Sequence, residues 1–293
     1  MKRLLASLLV SIGLISMPIA AMADDISSVT SCSTNDITDD YSGMPIDASL
    51  LTYGLCDDLA LYLPSLSTMN WSGYMVSAPS GVSYRAVEAR VTIPSFTRTC
   101  SKSELGSWVG IGGVNSSKLI QAGFGIGPTS NTPFLWVMIL SPQAGPAGWT
   151  ISTVPVHVGD VLDTQLIYIP DPTRSSTSGT VVVTFSNTTT GVNNLAKPFK
   201  VLVDGSFYYD GSTAEWIDER PLVNGVLANL LNFDFINWAG VRVMDEQTKT
   251  WGTMGSEAET RVSMINFNTY SAIAIPELPA STSTFKDIYV ACY

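Results

Sequence analysis

The stretch TAEWIDERPL, residues 213–222, crowds Glu215, Asp218 and Glu219 around a Trp-Ile pair. Carboxyl groups are common agents of acid–base catalysis. A chain of 293 residues with only 14% of them charged rarely gathers three so closely. If the stretch is a strand, its side chains alternate between faces at about 3.3 Å per residue. Glu215, Ile217 and Glu219 then share one face, while Ala214, Trp216 and Asp218 share the other. The two glutamates lie about 13 Å apart on such a strand, whereas a retaining glycoside hydrolase holds its two carboxyls roughly 5–5.5 Å apart. Pairing Glu219 with Glu215 would need a bulge between them, so glycoside hydrolysis is the weakened alternative. Asp218 reads as a solvated acid on the far face.

A second polar group stands out in KLIQAGF, residues 118–124. Alternation puts Leu119, Gln121 and Gly123 on one face. A glutamine inside an apolar strand must have its amide hydrogen-bonded, or its burial costs roughly 1–3 kcal/mol. Bridging two strands is its plain structural role. Gly123 beside it leaves space on that face, which suits a substrate and equally suits tight packing. Other chemistries find little support. His157, the single histidine, sits in TVPVHVGD before a Gly-Asp turn and reads as a structural strand-end residue. No G-x-S-x-G elbow or reactive-cysteine context accompanies it. GIGGVNSS, residues 110–117, lacks the lysine of a phosphate loop and runs into a strand. With one histidine and no C-x-x-C, neither a zinc site nor any other metal or cofactor is expected.

The elements that must position these groups are strands. Segments 87–93, 107–113, 118–124, 134–140, 161–169, 180–187, 214–219, 238–244 and 285–291 are rich in β-branched and aromatic residues and are bounded by Gly, Pro and Ser turns. PLVNGVLANLL, residues 221–231, is the one helix candidate, weakened by Gly225. Many strands and few helices predict an all-β fold, an antiparallel β-sandwich spanning residues 70–293.

Ahead of it, residues 24–69 are acidic and rich in Ser and Thr, an N-terminal extension or propeptide. Residues 1–23 read as a signal peptide: Lys2 and Arg3, an apolar run from Leu4 to Ile19, then Ala21-Met22-Ala23. Export beyond the cytoplasm, secreted or periplasmic, with no stable membrane anchor, is the expectation. Cys32, Cys56, Cys100 and Cys292 then suit two disulfides in one of three connectivities. Cys32–Cys56 is the local pairing, which leaves Cys100 to pin the C-terminal strand. Asn187-Thr188-Thr189 matches a glycosylation sequon, with a plain turn as the simpler reading. Net charge is −10 with 15 Lys and Arg, which excludes nucleic acid as a partner.

Taken in order, N-W-S-G at 70–73, W-V-G-I-G-G at 108–113, L-I-Q-A-G-F at 119–124, V-G-D at 158–160, SNTTTG at 186–191 and A-E-W-I-D-E at 214–219 resemble the glutamic peptidases, or eqolisins. The likeness covers residues 70–243. It implies a lectin-like (concanavalin A-like) jelly roll and an acid endopeptidase that takes protein or peptide substrates, here expected to be a monomer. Matched position by position, the family's catalytic glutamine falls on Gln121 and its catalytic glutamate on Glu219. Trp71 and Trp108 fall on tryptophans that line or support the cleft, with Trp136 and Glu215 as further substrate-side residues. An ionised Glu219 would activate a water, and the Gln121 amide would orient it and hold the developing oxyanion.

Two family acids are missing: Gly112 replaces an aspartate, and Met138 a glutamate. A more apolar cleft raises the carboxyl pKa of Glu219, and the loss of like charges lowers it, so the net direction stays open. The remaining alternative to peptide hydrolysis is a non-catalytic sandwich that binds glycan or peptide.

Overall fold

The computed structural model describes residues 66–292, apart from 115–117, 141–146, 174–177, 204–210 and 224. The expected leader, most of the acidic segment, and Cys32 and Cys56 lie outside the described residues. The strands run β1 Leu66–Thr68, β2 Trp71–Ser77, β3 Tyr84–Thr92, β4 Ser103–Gly112, β5 Leu119–Ile126, β6 Phe134–Leu140 and β7 Ala147–Ile151. They continue with β8 Val161–Pro170, β9 Gly179–Asn187, β10 Val192–Asn193, β11 Phe199–Val203, β12 Thr213–Glu219, β13 Leu222–Val223, β14 Val226–Leu227 and β15 Asn229–Leu230. The last are β16 Phe235–Asp245, β17 Trp251–Thr253, β18 Ala258–Asn266, β19 Ser271–Pro276 and β20 Thr284–Tyr289. No α-helix occurs among the described residues, and no helix there is long and apolar enough to cross a membrane.

Pairing arranges these strands in two layers. One layer runs β1, β18, β2, β12, β4, β5, β6, β7, antiparallel except for the parallel β1–β18 edge. The other is built on β16, β3, β8, β9 and β11, with β20 beside β16. β19 pairs with both β18 and β20 and joins the layers at one edge. Alternation supplies the core between them. Tyr74, Val109, Phe124, Val137 and Trp216 point inward from the first layer, and Val87, Leu166, Phe185 and Trp238 from the second. Trp216 Nε1 crosses the core to donate to the carbonyl of Glu88 at 3.0 Å. The structure is the expected antiparallel sandwich.

The helix expected over 221–231 is instead the β13–β14 hairpin followed by β15. Gly225 adopts φ 79°, a left-handed turn conformation that ends any helical run. Cys100 and Cys292 form a disulfide with their Cα atoms 6.1 Å apart, as the local-pairing argument predicts. The V-G-D and SNTTTG motifs are structural. Asn187 is fully buried, donates to Pro155 O at 3.0 Å and to Asp160 Oδ2 at 2.8 Å, and accepts from Thr189 N and Thr190 N. Its amide is used by the turn. His157 lies in the connection before β8, exposed, with its backbone N–H on Asp160 Oδ2.

Candidate active site

The outward face of the first layer gathers the residues singled out in the sequence. Register fixes three rows across it. Glu219 of β12 lies opposite Trp71 of β2 on one side and Gly106 of β4 on the other. Ile217 lies opposite Trp108, which lies opposite Gly123 and then Trp136. Glu215 lies opposite Gly110, which lies opposite Gln121 and then Met138. Glu219 and Gln121 thus share a face, but in rows four residues apart along β4, about 13 Å in a flat sheet. β12 pairs regularly on both sides, without a bulge, so Glu215 and Glu219 stay separated as alternation predicts. A paired-carboxylate mechanism using those two is ruled out by that spacing.

The space between the rows is occupied by Trp108. Its Nε1 donates to Glu219 Oε2 at 2.8 Å, and the far edge of its indole folds over Gly110. A Cβ on Gly110 would sit 2.6 Å from Trp108 Cζ3, so glycine there is what lets the ring lie flat along the strand. Trp71 stands edge-on to Trp108, ring centroids 5.1 Å apart. Asn70 Nδ2 donates to Glu219 Oε1 at 3.0 Å. Glu219 is therefore buried, 3% exposed, and gripped at both oxygens. Burial pushes its carboxyl up to about 7, and the hydrogen bonds from Trp108 and Asn70 offset only part of that rise. Desolvation is the largest influence on the Glu219 carboxyl, and it acts upward.

Gln121 is equally buried, and its Nε2 meets the sulfur of Met138 at 3.6 Å, a weak acceptor. Its Oε1 has no hydrogen-bond partner. The strand-bridging role expected for a structural glutamine is not what it performs: one end of its amide has a poor partner and the other has none. Trp136 and Met138 line a cavity beside Glu219, and Glu215 is buried in the same face, in Gln121's row. Gly112 closes β4 at φ 80°, a conformation that an aspartate adopts only at a cost. Of the two readings of Gly123, substrate space and tight packing, the second holds. A Cβ there would meet the carbonyl oxygen of Ser107 at 2.0 Å, so this glycine serves close strand packing.

Sequence reasoning misplaced one acid and passed over two polar groups. Asp218 is not solvated; it is fully buried between the layers. Trp238 Nε1 donates to its Oδ2 at 3.0 Å, and Asp287 faces it, holding a hydrogen bond from Ser72 Oγ at 2.7 Å. Burial pushes Asp218 up to about 6, and burial together with the neighbouring Asp218 pushes Asp287 well above its ordinary value. β12 is a central strand with both faces covered, so its far face never meets water. Asn70 was visible only as part of the N-W-S-G motif. Glu104, at the start of β4, shares the cavity with Glu219, and only its position two residues before Gly106 signals the shared face.

The chain resembles solved structures of scytalido-glutamic peptidase bound to a transition-state analogue inhibitor, with a TM-score of 0.60 and 20% identity over 76% of this chain and 98% of that one. It also resembles SCP-B, a member of the eqolisin family solved with the tripeptide Ala-Ile-His, with a TM-score of 0.57 and 18% identity over the same shares. At these identities the likeness concerns the fold. No curated protein matches the chain by sequence. The family model described as the Peptidase A4 family matches residues 69–278, which spans both Gln121 and Glu219. The chain therefore belongs to the Peptidase A4 family, the eqolisins, and is a glutamic endopeptidase.

Proposed function

We propose that this peptidase is exported and hydrolyses peptide bonds with Glu219 and Gln121 acting on one water. The observation that carries the reading is that two buried groups share the outward face of one sheet, within the stretch the family model matches. Glu219 has a pKa raised to about 7 and an apolar cavity at its side, and Gln121 has an unsatisfied Oε1. In the reaction, ionised Glu219 takes a proton from water as its oxygen bonds to the scissile carbonyl carbon. Gln121 accepts from that water through Oε1 and donates through Nε2 to the oxyanion. Glu219, now protonated, passes the proton to the nitrogen as the C–N bond breaks. The two rows stand about 13 Å apart with Trp108 between them, so the reading requires the Trp108 ring to give way as substrate and water enter. Export is supported by the N-terminal Lys2-Arg3, apolar run and Ala-x-Ala pattern, and by the Cys100–Cys292 disulfide.

A base must be ionised to act. With its pKa near 7, Glu219 loses about tenfold in active form for each pH unit below that value. Activity in weakly acid medium, rather than in strong acid, follows. The test is cleavage of an unfolded protein from pH 2 to 7 by the wild type, Glu219→Gln and Gln121→Ala. Loss in both variants, with the fold intact, supports the dyad. Undiminished cleavage in either removes that residue from the mechanism.

A further inference from the structure

Beside Glu219 lies a second buried acid that the dyad does not use. Glu104 is 3% exposed and sits on the same face of β4 as Gly106 and Trp108. Its Oε2 has no hydrogen-bond partner. Arg98 is the nearby cation, but its guanidinium is committed elsewhere, donating to the carbonyls of Ser103, Gly127 and Ser130 at 2.7 Å each. Burial, opposed by Arg98, raises the Glu104 carboxyl to about 7.

Glu104 and Glu219 line one cavity of about 60 Å³. Phe134, Trp136, Trp149 and Leu222 supply apolar walls. Among the described residues no lysine or arginine lines it. Arg98, from the preceding loop, is the charge among the described residues that bears on Glu104, and Glu219 of β12 lines the same cavity. β5, β6 and β7 present only uncharged residues there, such as Gly125, Met138 and Thr150.

We propose that this cavity receives the tip of the substrate side chain next to the scissile bond and that Glu104 selects a basic one, with a lysine ammonium as its simplest occupant and the lysine stem in the cavity's mouth. The proposal rests on the Gln121/Glu219 reading, because it takes Glu219 to mark the scissile bond. A lysine stem is apolar and lies well against aromatic walls, and its ammonium gains from their ring faces. The ammonium also supplies the donors that Glu104 Oε2 lacks. An uncharged chain of the same length fills the walls but leaves the acid unpaired, which is costly at a buried site. Binding a cation to protonated Glu104 releases the acid's proton to solvent. The preference for lysine therefore grows as pH rises toward the Glu104 pKa.

Two peptides that differ only in lysine or norleucine next to the cut test this. The quantity read is the ratio of their kcat/KM values within one protein, in which the titration of Glu219 cancels. The ratio is expected to rise at least tenfold from pH 4 to 7 in the wild type and to stay level in Glu104→Gln. A level ratio in the wild type, or the same rise in Glu104→Gln, overturns the proposal. If neither peptide is cut, the dyad reading has failed, and equilibrium binding of both peptides to the Glu219→Gln protein still interrogates Glu104. Lysine binding that strengthens tenfold over the same pH range, and no longer does so once Glu104→Gln is added, upholds the pocket. Equal binding of the two peptides at pH 7 sinks it.

Discussion

Replacing Trp108 by phenylalanine isolates one hydrogen bond at the heart of the proposed mechanism. The ring would still lie along β4 over Gly110 and against Trp71, but the N–H that reaches Glu219 Oε2 at 2.8 Å would be gone. Hydrogen bonds to charged groups are worth about 1.5–3 kcal/mol, and 1.36 kcal/mol corresponds to one pKa unit. Losing a donor disfavours the carboxylate, so the Glu219 pKa should climb by about 1–2 units from its starting value near 7. Activity that depends on ionised Glu219 should then fall about tenfold to a hundredfold at pH 5 and recover toward the wild-type value at higher pH. The assay is kcat/KM against pH from 4 to 8 on a chromogenic peptide, with circular dichroism to check the fold. A loss of the same size at every pH would mean that Trp108 acts through packing alone. An unmoved lower limb at full rate would mean that Glu219 is not the titrating base.

Further predictions concern the supports of the site. Gly110→Ala should push the Trp108 indole off the strand, because the added methyl carbon would lie 2.6 Å from it; activity should drop more than tenfold, and unfolding titrations should show an overpacking cost of about 1–3 kcal/mol. The Asp218–Asp287 pair should make stability depend on pH. Both carboxyls are held above their unfolded values, so their contribution is fully present below those values and is lost as pH rises through the folded ones. Tm should therefore fall from pH 4 toward neutrality, and Asp287→Asn should flatten that fall; an identical slope in the variant would refute the assignment. Reducing Cys100–Cys292, which are 192 residues apart, should cost about 5 kcal/mol on the chain-entropy account, measurable as a drop in denaturation midpoint. Expressed in a glycosylating host, the folded protein should carry no glycan on Asn187, whose amide is buried and committed, and intact mass would reveal one if present.

Alternation alone placed Glu215 and Glu219 on one face and Trp216 and Asp218 on the other, because a strand's period of two leaves no freedom in the matter. It could not say what each face meets. Asp218 looked solvated because acids usually are, but β12 runs between β2 and β4 with a second layer behind it, so even its inward acid is buried. The 221–231 segment looked helical because its apolar spacing fits that period over a short window, while the turn at Gly225 divided it into a hairpin and a further short strand. β18 escaped notice because it mixes Ser, Thr and charged residues with apolar ones, which blurs the alternation that marks a half-buried strand. Asn70 and Glu104 were invisible as site residues for a different reason. Each meets Glu219 across strands, more than a hundred positions away, Asn70 through the register of β2 on β12 and Glu104 through that of β4 on β12.

That register also explains how a cleft can lose two acids and keep a tuned carboxylate. With methionine at 138 and glycine at 112, no neighbouring charge from those positions bears on Glu219, and desolvation is the largest cause of its raised pKa. The grip of Trp108 and Asn70 then decides how far the rise goes, since each hydrogen bond favours the charged form. On the reverse of the same strands, Ser72 and Asp218 are tied with Trp238 and Asp287 into a buried polar knot directly behind Trp71 and Glu219. A proton lost from that knot places like charges in the core one residue from the proposed base. If Glu219 is the base, the pH limits are set from two sides: on the acid side by its ionisation, and on the alkaline side by the integrity of the layer that holds it. Asp287→Asn separates the two, because it should extend stability toward neutral pH and leave the lower limb of kcat/KM in place.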